Sequence, residues 1–129
     1  MRKEMMKNPA DLCQPLTDVF IRLNNELRLI DSDGCGSTAC VAIVRKEGHA
    51  NVLYVANIGD TRAVLSKSGT AERLSVDDKC DNPDENARVK GSGGIILENR
   101  LGGVLAVTRA FGDHALTALG VDPLFALVA

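Results

Sequence analysis

Leu53-Tyr54-Val55-Ala56-Asn57-Ile58-Gly59-Asp60-Thr61-Arg62-Ala63-Val64-Leu65 is the stretch that decides the fold. Two apolar runs, residues 52–56 and 63–65, flank a turn at residues 57–62 that carries one carboxylate at its tip. A Gly-Asp turn between strands holds a carboxylate at the end of a sheet, where a hard metal ion or a cationic side chain can meet it. A plain hairpin turn, whose Asp bonds only nearby backbone, uses the same residues.

Working outward, the neighbouring segments extend the sheet. Residues 38–44 are β-branched and apolar, and a turn at 46–51 returns the chain to 52–56. Residues 62–66, a Lys67-Ser68-Gly69 turn and residues 70–74 follow, which predicts an antiparallel meander of about four strands. Its long apolar stretches imply strands buried on both faces or nearly so. Upstream, Leu12, Leu16, Val19, Phe20, Leu23, Leu27 and Ile30 recur at three- and four-residue steps. That spacing predicts an amphipathic helix over 11–30, capped by Asp11 and packed on the sheet. Downstream, Asn82-Pro83-Asp84-Glu85 starts a short helix: Asn82 caps, Pro83 takes the first position, Glu85 closes a capping box, and Gly91 ends it. Strands are expected at 95–98, 104–107 and 123–129, with a turn at 100–103. Read from the residues alone, this is one domain over 1–129 that mixes helices with an antiparallel meander.

Composition narrows the function. Apolar residues make up 45% of the 129 residues and charged ones 25%, a globular balance. The net charge of −2 offers no general attraction to nucleic acid or an anionic membrane, and three Phe, one Tyr and no Trp make no base-stacking platform. No apolar run reaches membrane-spanning length, and residues 1–7 do not lead into a signal peptide. Cys13, Cys35, Cys40 and Cys80 lack metal-site spacing. Cys13 and Cys40 fall in apolar periodic segments, as core thiols do. Reduced thiols and an intracellular, cytoplasmic protein are expected.

Most local motifs carry little chemistry. Gly34-Cys35-Gly36-Ser37-Thr38-Ala39 superficially matches a dinucleotide fingerprint but follows a helix and opens a strand, the reverse of the required context. Gly91-Ser92-Gly93-Gly94 stops a helix rather than cradling phosphate. His49 and His114 have no evident acid partner or nucleophile. Asp77, Asp78, Asp81, Asp84 and Glu85 lack EF-hand spacing and read as a solvated loop with a helix N-terminus. Arg100 and Arg109 each match a phosphate ligand, and equally match a structural pair with a carboxylate such as Asp113.

The order of the segments is more specific than any one of them. Gly36-Ser37-Thr38-Ala39, the 53–65 stretch, Leu74-Ser75-Val76-Asp77-Asp78-Lys79, residues 82–89, Gly93-Gly94 and Gly103-Val104-Leu105-Ala106-Val107-Thr108-Arg109-Ala110-Phe111-Gly112-Asp113 appear in series. From about residue 32 to 123 this closely resembles the protein phosphatase 2C family, the metal-dependent protein serine/threonine phosphatases. Asp78 stands where that family usually has His, and Cys80 where it usually has Pro.

The resemblance implies an α+β fold, two antiparallel sheets flanked by helices, of which this chain would hold part of the α-β-β-α sandwich. It also implies two Mg2+ or Mn2+ ions activating a water against phosphoserine or phosphothreonine of a protein substrate. Gly59, Asp60, Arg62, Arg109, Gly112 and Asp113 carry the family motifs. Asp60 alone corresponds to a metal ligand, at an accessory third position; no catalytic or phosphate-binding residue carries over. The Asp-Gly-His-Gly-Gly, Asp-Gly and Asp-Asn segments that supply the other ligands of the family are not among these 129 residues. A chain with one such carboxylate is expected to be inactive by itself, and to dimerise or be completed by another chain across open sheet edges. The alternative is a non-catalytic phosphatase-like module for binding or self-association.

Overall fold

The computed structural model describes residues 12–30, 34–119 and 126–128. Helix α1 spans Cys13–Leu27 and tightens into a 3-10 turn at Arg28–Ile30. Strands β1 (Gly36–Ser37), β2 (Ala39–Glu47), β3 (Ala50–Ile58), β4 (Val64–Lys67) and β5 (Thr70–Arg73) follow. Helix α2 (Pro83–Gly91) leads to β6 (Ile96–Leu97), β7 (Arg100–Leu101), β8 (Phe111–Gly112), a 3-10 segment at His114–Leu119, and β9 (Ala126–Val128). Every sheet is antiparallel: β2-β3-β9, β1-β8, β4-β5 and β6-β7. The class is α+β. Among the described residues, no helix is long and apolar enough to cross a membrane.

The amphipathic helix packs on β3. Cys13, Leu16 and Phe20 meet Tyr54, Ala56 and Ile58, with Ala39, Ile43, Val52 and Phe111 at the margin. Alternate β3 residues share that face because successive strand side chains point to opposite sides. Each large side chain buried this way contributes about 1.5–3 kcal/mol. Phe20 and Phe111 stack at 5.1 Å between ring centroids, tilted by 41°. The predicted stripe was too wide: Val19 and Leu23 are about half exposed and Ile30 more so, while Asn24 is buried. Asn24 is inside because its Oδ1 accepts the Gly112 N–H at 2.9 Å, tying α1 to β8. The expected cap, Asp11, lies outside the described residues.

Several strand expectations change. The 57–62 turn does not close a hairpin, since β3 pairs with β2 and β9 while β4 pairs with β5. There is thus no continuous four-stranded meander. The β2-β3 hairpin is longer than expected and turns on two residues, Gly48-His49, with Gly48 at φ +60. Burial on both faces holds for Tyr54–Ile58 of β3 but not for β2, where Val41 and Val44 are exposed. Arg100-Leu101 is a strand rather than a turn, because Glu98 and Asn99 (φ +50 and +60) form the two-residue loop of a β6-β7 hairpin. Residues 104–107 form no strand; only an isolated bridge joins Leu105 to Leu101. The expected strand at 123–129 appears as β9, and residues 120–125 and 129 lie outside the described ones. Cys40 is half-buried, whereas Cys80 joins the second core with Val89 and Leu101.

The β1-β8 pairing was not foreseen, since each strand is two residues long. It depends on close approach: Gly112 sits at φ +72, and a Cβ there would lie 2.2 Å from the Cys35 carbonyl oxygen. Gly69, at φ +83 in the β4-β5 turn, has open space around it. Gly69→Ala should therefore cost about 1–2 kcal/mol from backbone conformation alone, and Gly112→Ala at least about 2 kcal/mol more. Urea unfolding of the two variants measures the difference; equal losses would refute the steric argument.

Candidate functional site

The acidic turn is held by the segment that follows β5. Gly59 adopts φ +86, a conformation suited to glycine, and a Cβ on it would lie 2.3 Å from Thr38 Cγ2. The Asp78 N–H donates to Gly59 O at 3.0 Å, and the Gly59 N–H donates to Asp78 Oδ2 at 2.9 Å. Asn57 Nδ2 also donates to Gly59 O, at 3.1 Å. The neighbouring pair repeats the arrangement: Lys79 Nζ lies 3.3 Å from Asp60 Oδ2. Thr38 and Thr61 hydroxyls share a hydrogen bond of 2.7 Å beside the turn.

Arg62 forks onto Asp77 rather than bonding Asp60, with Nη2 2.6 Å from Oδ2. Arg73 joins the same carboxylate. The Arg62 hydrogen bond leads in holding the Asp77 carboxyl below the usual range, against a smaller opposing effect of burial. Both arginines are about half exposed, so these pairs contribute little to stability.

Beneath the turn lies a buried charge cluster. Glu85 accepts from Arg109 Nε at 2.9 Å, Arg88 Nη2 at 2.9 Å and the Thr108 hydroxyl at 2.6 Å. Glu85, Arg109 and Thr108 are each at least nine-tenths buried. Burial alone would raise the Glu85 carboxyl, but the hydrogen bonds from Arg109, Arg88 and Thr108 outweigh it and bring the pKa to about 2. Asp78 shares the cluster on worse terms, 3.7 Å from Arg109 Nε. Burial dominates there and lifts its pKa to about 6, against the Gly59 N–H and Arg109.

These contacts settle where the candidate residues sit. Arg109 is engaged by Glu85 and Asp78, so the structural alternative holds with a different partner from Asp113. Arg100 donates to Val104 O at 2.8 Å, just past its own strand, an exposed contact. Asp113 stands apart from the turn: its N–H donates to Cys35 O, and its carboxylate lies against the open side of Gly36. His114 Nδ1 lies 3.2 Å from Arg28 Nε. The acidic run is not simply solvated, because Asp78 and Glu85 are buried while Asp81 and Asp84 remain exposed. Asn82 does cap α2, its Oδ1 accepting from Asp84 N, but Glu85 turns inward to the arginines instead of closing a capping box. Glu85, Arg88 and Lys79 are the residues that sequence reasoning missed. The Glu85–Arg88 spacing of three on a short helix was the available signal.

Divalent ions do not fit this set by itself. Asp60 is the one motif carboxylate near the surface of the turn, and an ammonium already faces it. Among the described residues, no three His, Cys, Asp or Glu side chains converge as metal ligands do.

Two consequences of the buried cluster are measurable. Glu85→Ala leaves Arg109 without its main counter-charge and should cost roughly 3–5 kcal/mol in urea unfolding. The pH dependence has two limbs of opposite sign. Asp78, raised when folded, contributes stability that is complete below about pH 4 and lost as pH rises through about 6. Glu85, lowered when folded, contributes stability present above about pH 4.5 and lost as pH falls toward about 2. Stability should peak near pH 4 to 4.5 and fall from there to about pH 6, with a change of order 3 kcal/mol on the Asp78 limb. Asp78→Asn should flatten the slope between about pH 4 and 6; an unchanged slope would assign it to other groups.

A family model described as protein phosphatase 2C matches residues 2–123. Protein phosphatase 2C homolog 1 of Schizosaccharomyces pombe is 41% identical over 121 residues, covering 90% of this chain and 35% of that protein. Protein phosphatase 2C homolog 1 of Saccharomyces cerevisiae is 35% identical over 130 residues, covering 89% and 46%. The crystal structure of a serine-threonine phosphatase 2C from Toxoplasma gondii superposes with a TM-score of 0.70 at 24% identity, over 98% of this chain and 50% of that one, which shows a shared fold. The chain therefore spans between a third and a half of these relatives' length, and it belongs to the protein phosphatase 2C family.

Proposed function

We propose that residues 1–129 form one partial domain of a metal-dependent protein serine/threonine phosphatase, and that by themselves they do not hydrolyse phosphoserine or phosphothreonine. The family relationship supports the substrate class and the dependence on Mg2+ or Mn2+. The observation that carries the second half is where the carboxylates are spent. Asp77, Asp78 and Glu85 face arginines, and Asp60 faces Lys79. Magnesium gives up its water reluctantly and is held by more than one acidic group or by phosphate. Asp60 serves in this reading as an accessory metal ligand once other carboxylates are supplied. Gly59, Arg62, Arg109, Gly112 and Asp113 serve as framework.

A second reading, a non-catalytic module that self-associates or is completed by another chain, is favoured by β2. It is the edge of its sheet among the described residues, nine residues long, with Val41 and Val44 exposed. A homodimer through this edge is the form of partner it suggests.

One assay on the purified chain addresses the first reading. With a phosphothreonine peptide and Mn2+, release of inorganic phosphate should stay at the no-protein background. Turnover comparable to a full-length family phosphatase would overturn it. Sedimentation of the same sample should reveal a dimer if the second reading is correct, and a monomer at high concentration if it is not.

A further inference from the structure

We infer that Lys79 is the resident counter-cation of Asp60, set there by the 78–79 segment, and that it competes directly with any divalent ion for that carboxylate. This rests on and deepens the reading that the 129 residues do not by themselves hold two divalent metal ions, and it gives that reading a chemical cause.

Two adjacent residues grip two adjacent residues. Asp78 holds Gly59 through both its main chain and its carboxylate, at 3.0 and 2.9 Å. Lys79 then places its ammonium 3.3 Å from the Asp60 carboxylate. The grip is anchored on its far side, because Thr108 N donates to Asp78 O at 2.8 Å and Asn82 N donates to Lys79 O at 3.1 Å. The backbone from which the ammonium reaches is thereby fixed relative to the turn, so only the Lys79 and Asp60 side chains are left to order when the pair forms.

Arg62 adds to the effect. Its guanidinium is bound to Asp77 and still feels the charge of Asp60. Arg62 and Lys79 line the same open polar cleft, together with Arg73, Asp77, Asp81 and Asn82. A divalent ion approaching Asp60 therefore meets the Lys79 ammonium at that carboxylate, while the cleft's Asp77 is already held by Arg62 and Arg73. Coulomb repulsion between a divalent ion and an ammonium pushed back to about 8 Å, at the dielectric of water, weakens binding by roughly three- to tenfold. The exposed Lys79–Asp60 pair is itself weak, so a stronger ligand set can displace the ammonium.

The test uses the whole chain and manganese chloride as the probe. Paramagnetic broadening of the Asp60 and Gly59 amide signals reports binding at the turn, without any turnover. Lys79→Met, which keeps the apolar stem and removes the charge, should bind Mn2+ at this site about three- to tenfold more tightly than wild type. Adding Asp60→Asn to that variant should abolish the broadening at the turn. Equal affinity in wild type and Lys79→Met, or no binding in either, would overturn the inference. A measurement on wild type alone guards against a variant that fails to fold. On titration with diamagnetic Mg2+, the Lys79 ε-methylene and the Asp60 carboxyl carbon should shift with one midpoint. Movement of Asp60 with Lys79 unmoved would also overturn it. The phosphopeptide assay is independent of these outcomes, so a failure of either proposal can be told from a failure of the other.

Discussion

Glu85 carries a negative charge almost out of reach of water, and three segments of the chain are arranged around it. It sits on α2, its principal cation Arg109 comes from the loop before β8, and Thr108 completes the set. Thr108 also donates its N–H to Asp78, which in turn holds Gly59 at the end of β3. A buried ion pair of this kind adds little net stability over a well-packed apolar core, but an unpartnered half of it is expensive. Its consequence is therefore geometric. Conformations that separate α2 from residues 108–109, or the 78–79 segment from the turn, strand a buried charge. The position of the acidic turn is thus inherited from an ion pair that contains none of the turn's own residues.

This arrangement suits segments with little regular structure. Between β5 and α2, and again between β7 and β8, the chain lacks long ladders that would satisfy its polar backbone. Side chains take over that duty. The Ser75 hydroxyl accepts from Ala63 N, Arg73 Nε donates to Ser75 O, and Asn86 Nδ2 donates to Cys80 O. The apolar core supplies the larger share of burial, through α1 on β3 and the smaller cluster of Cys80, Val89 and Leu101. The polar network determines how the irregular loops lie on it.

Legibility in the sequence followed the range of the interactions. Periodicity marked α1 and the β2-β3 hairpin, because each is a local pattern repeated over many residues. The Asn82-Pro83 start of α2 was equally clear, since a cap acts within one turn. Strands of two residues were misplaced or missed, and the expected pairing of β3 with β4 does not form, β9 lying on that side of β3. A two-residue strand has no period, and its partner lies far along the chain: Gly36 pairs with Gly112. At the site, Asp60 and the glycines stood out by motif. Glu85 did not, because its sequence position offered a local role as a capping-box residue that the buried arginines outcompete.

The sequence alone determined the family, the α+β class and the presence of an acidic turn after β3, since all three are carried by ordered local motifs and apolar periodicity. Only the tertiary structure decided what each charge is for. Asp78 and Glu85 look alike in one acidic run, yet one is lifted to about 6 and the other lowered to about 2. The difference is that Arg109 forks onto Glu85 and stands farther from Asp78. Lys79 likewise becomes the cation of Asp60 only because Asp78 is bonded to Gly59. Charge–charge energy depends on distance and on burial, and those are set by packing between segments that a linear reading keeps apart.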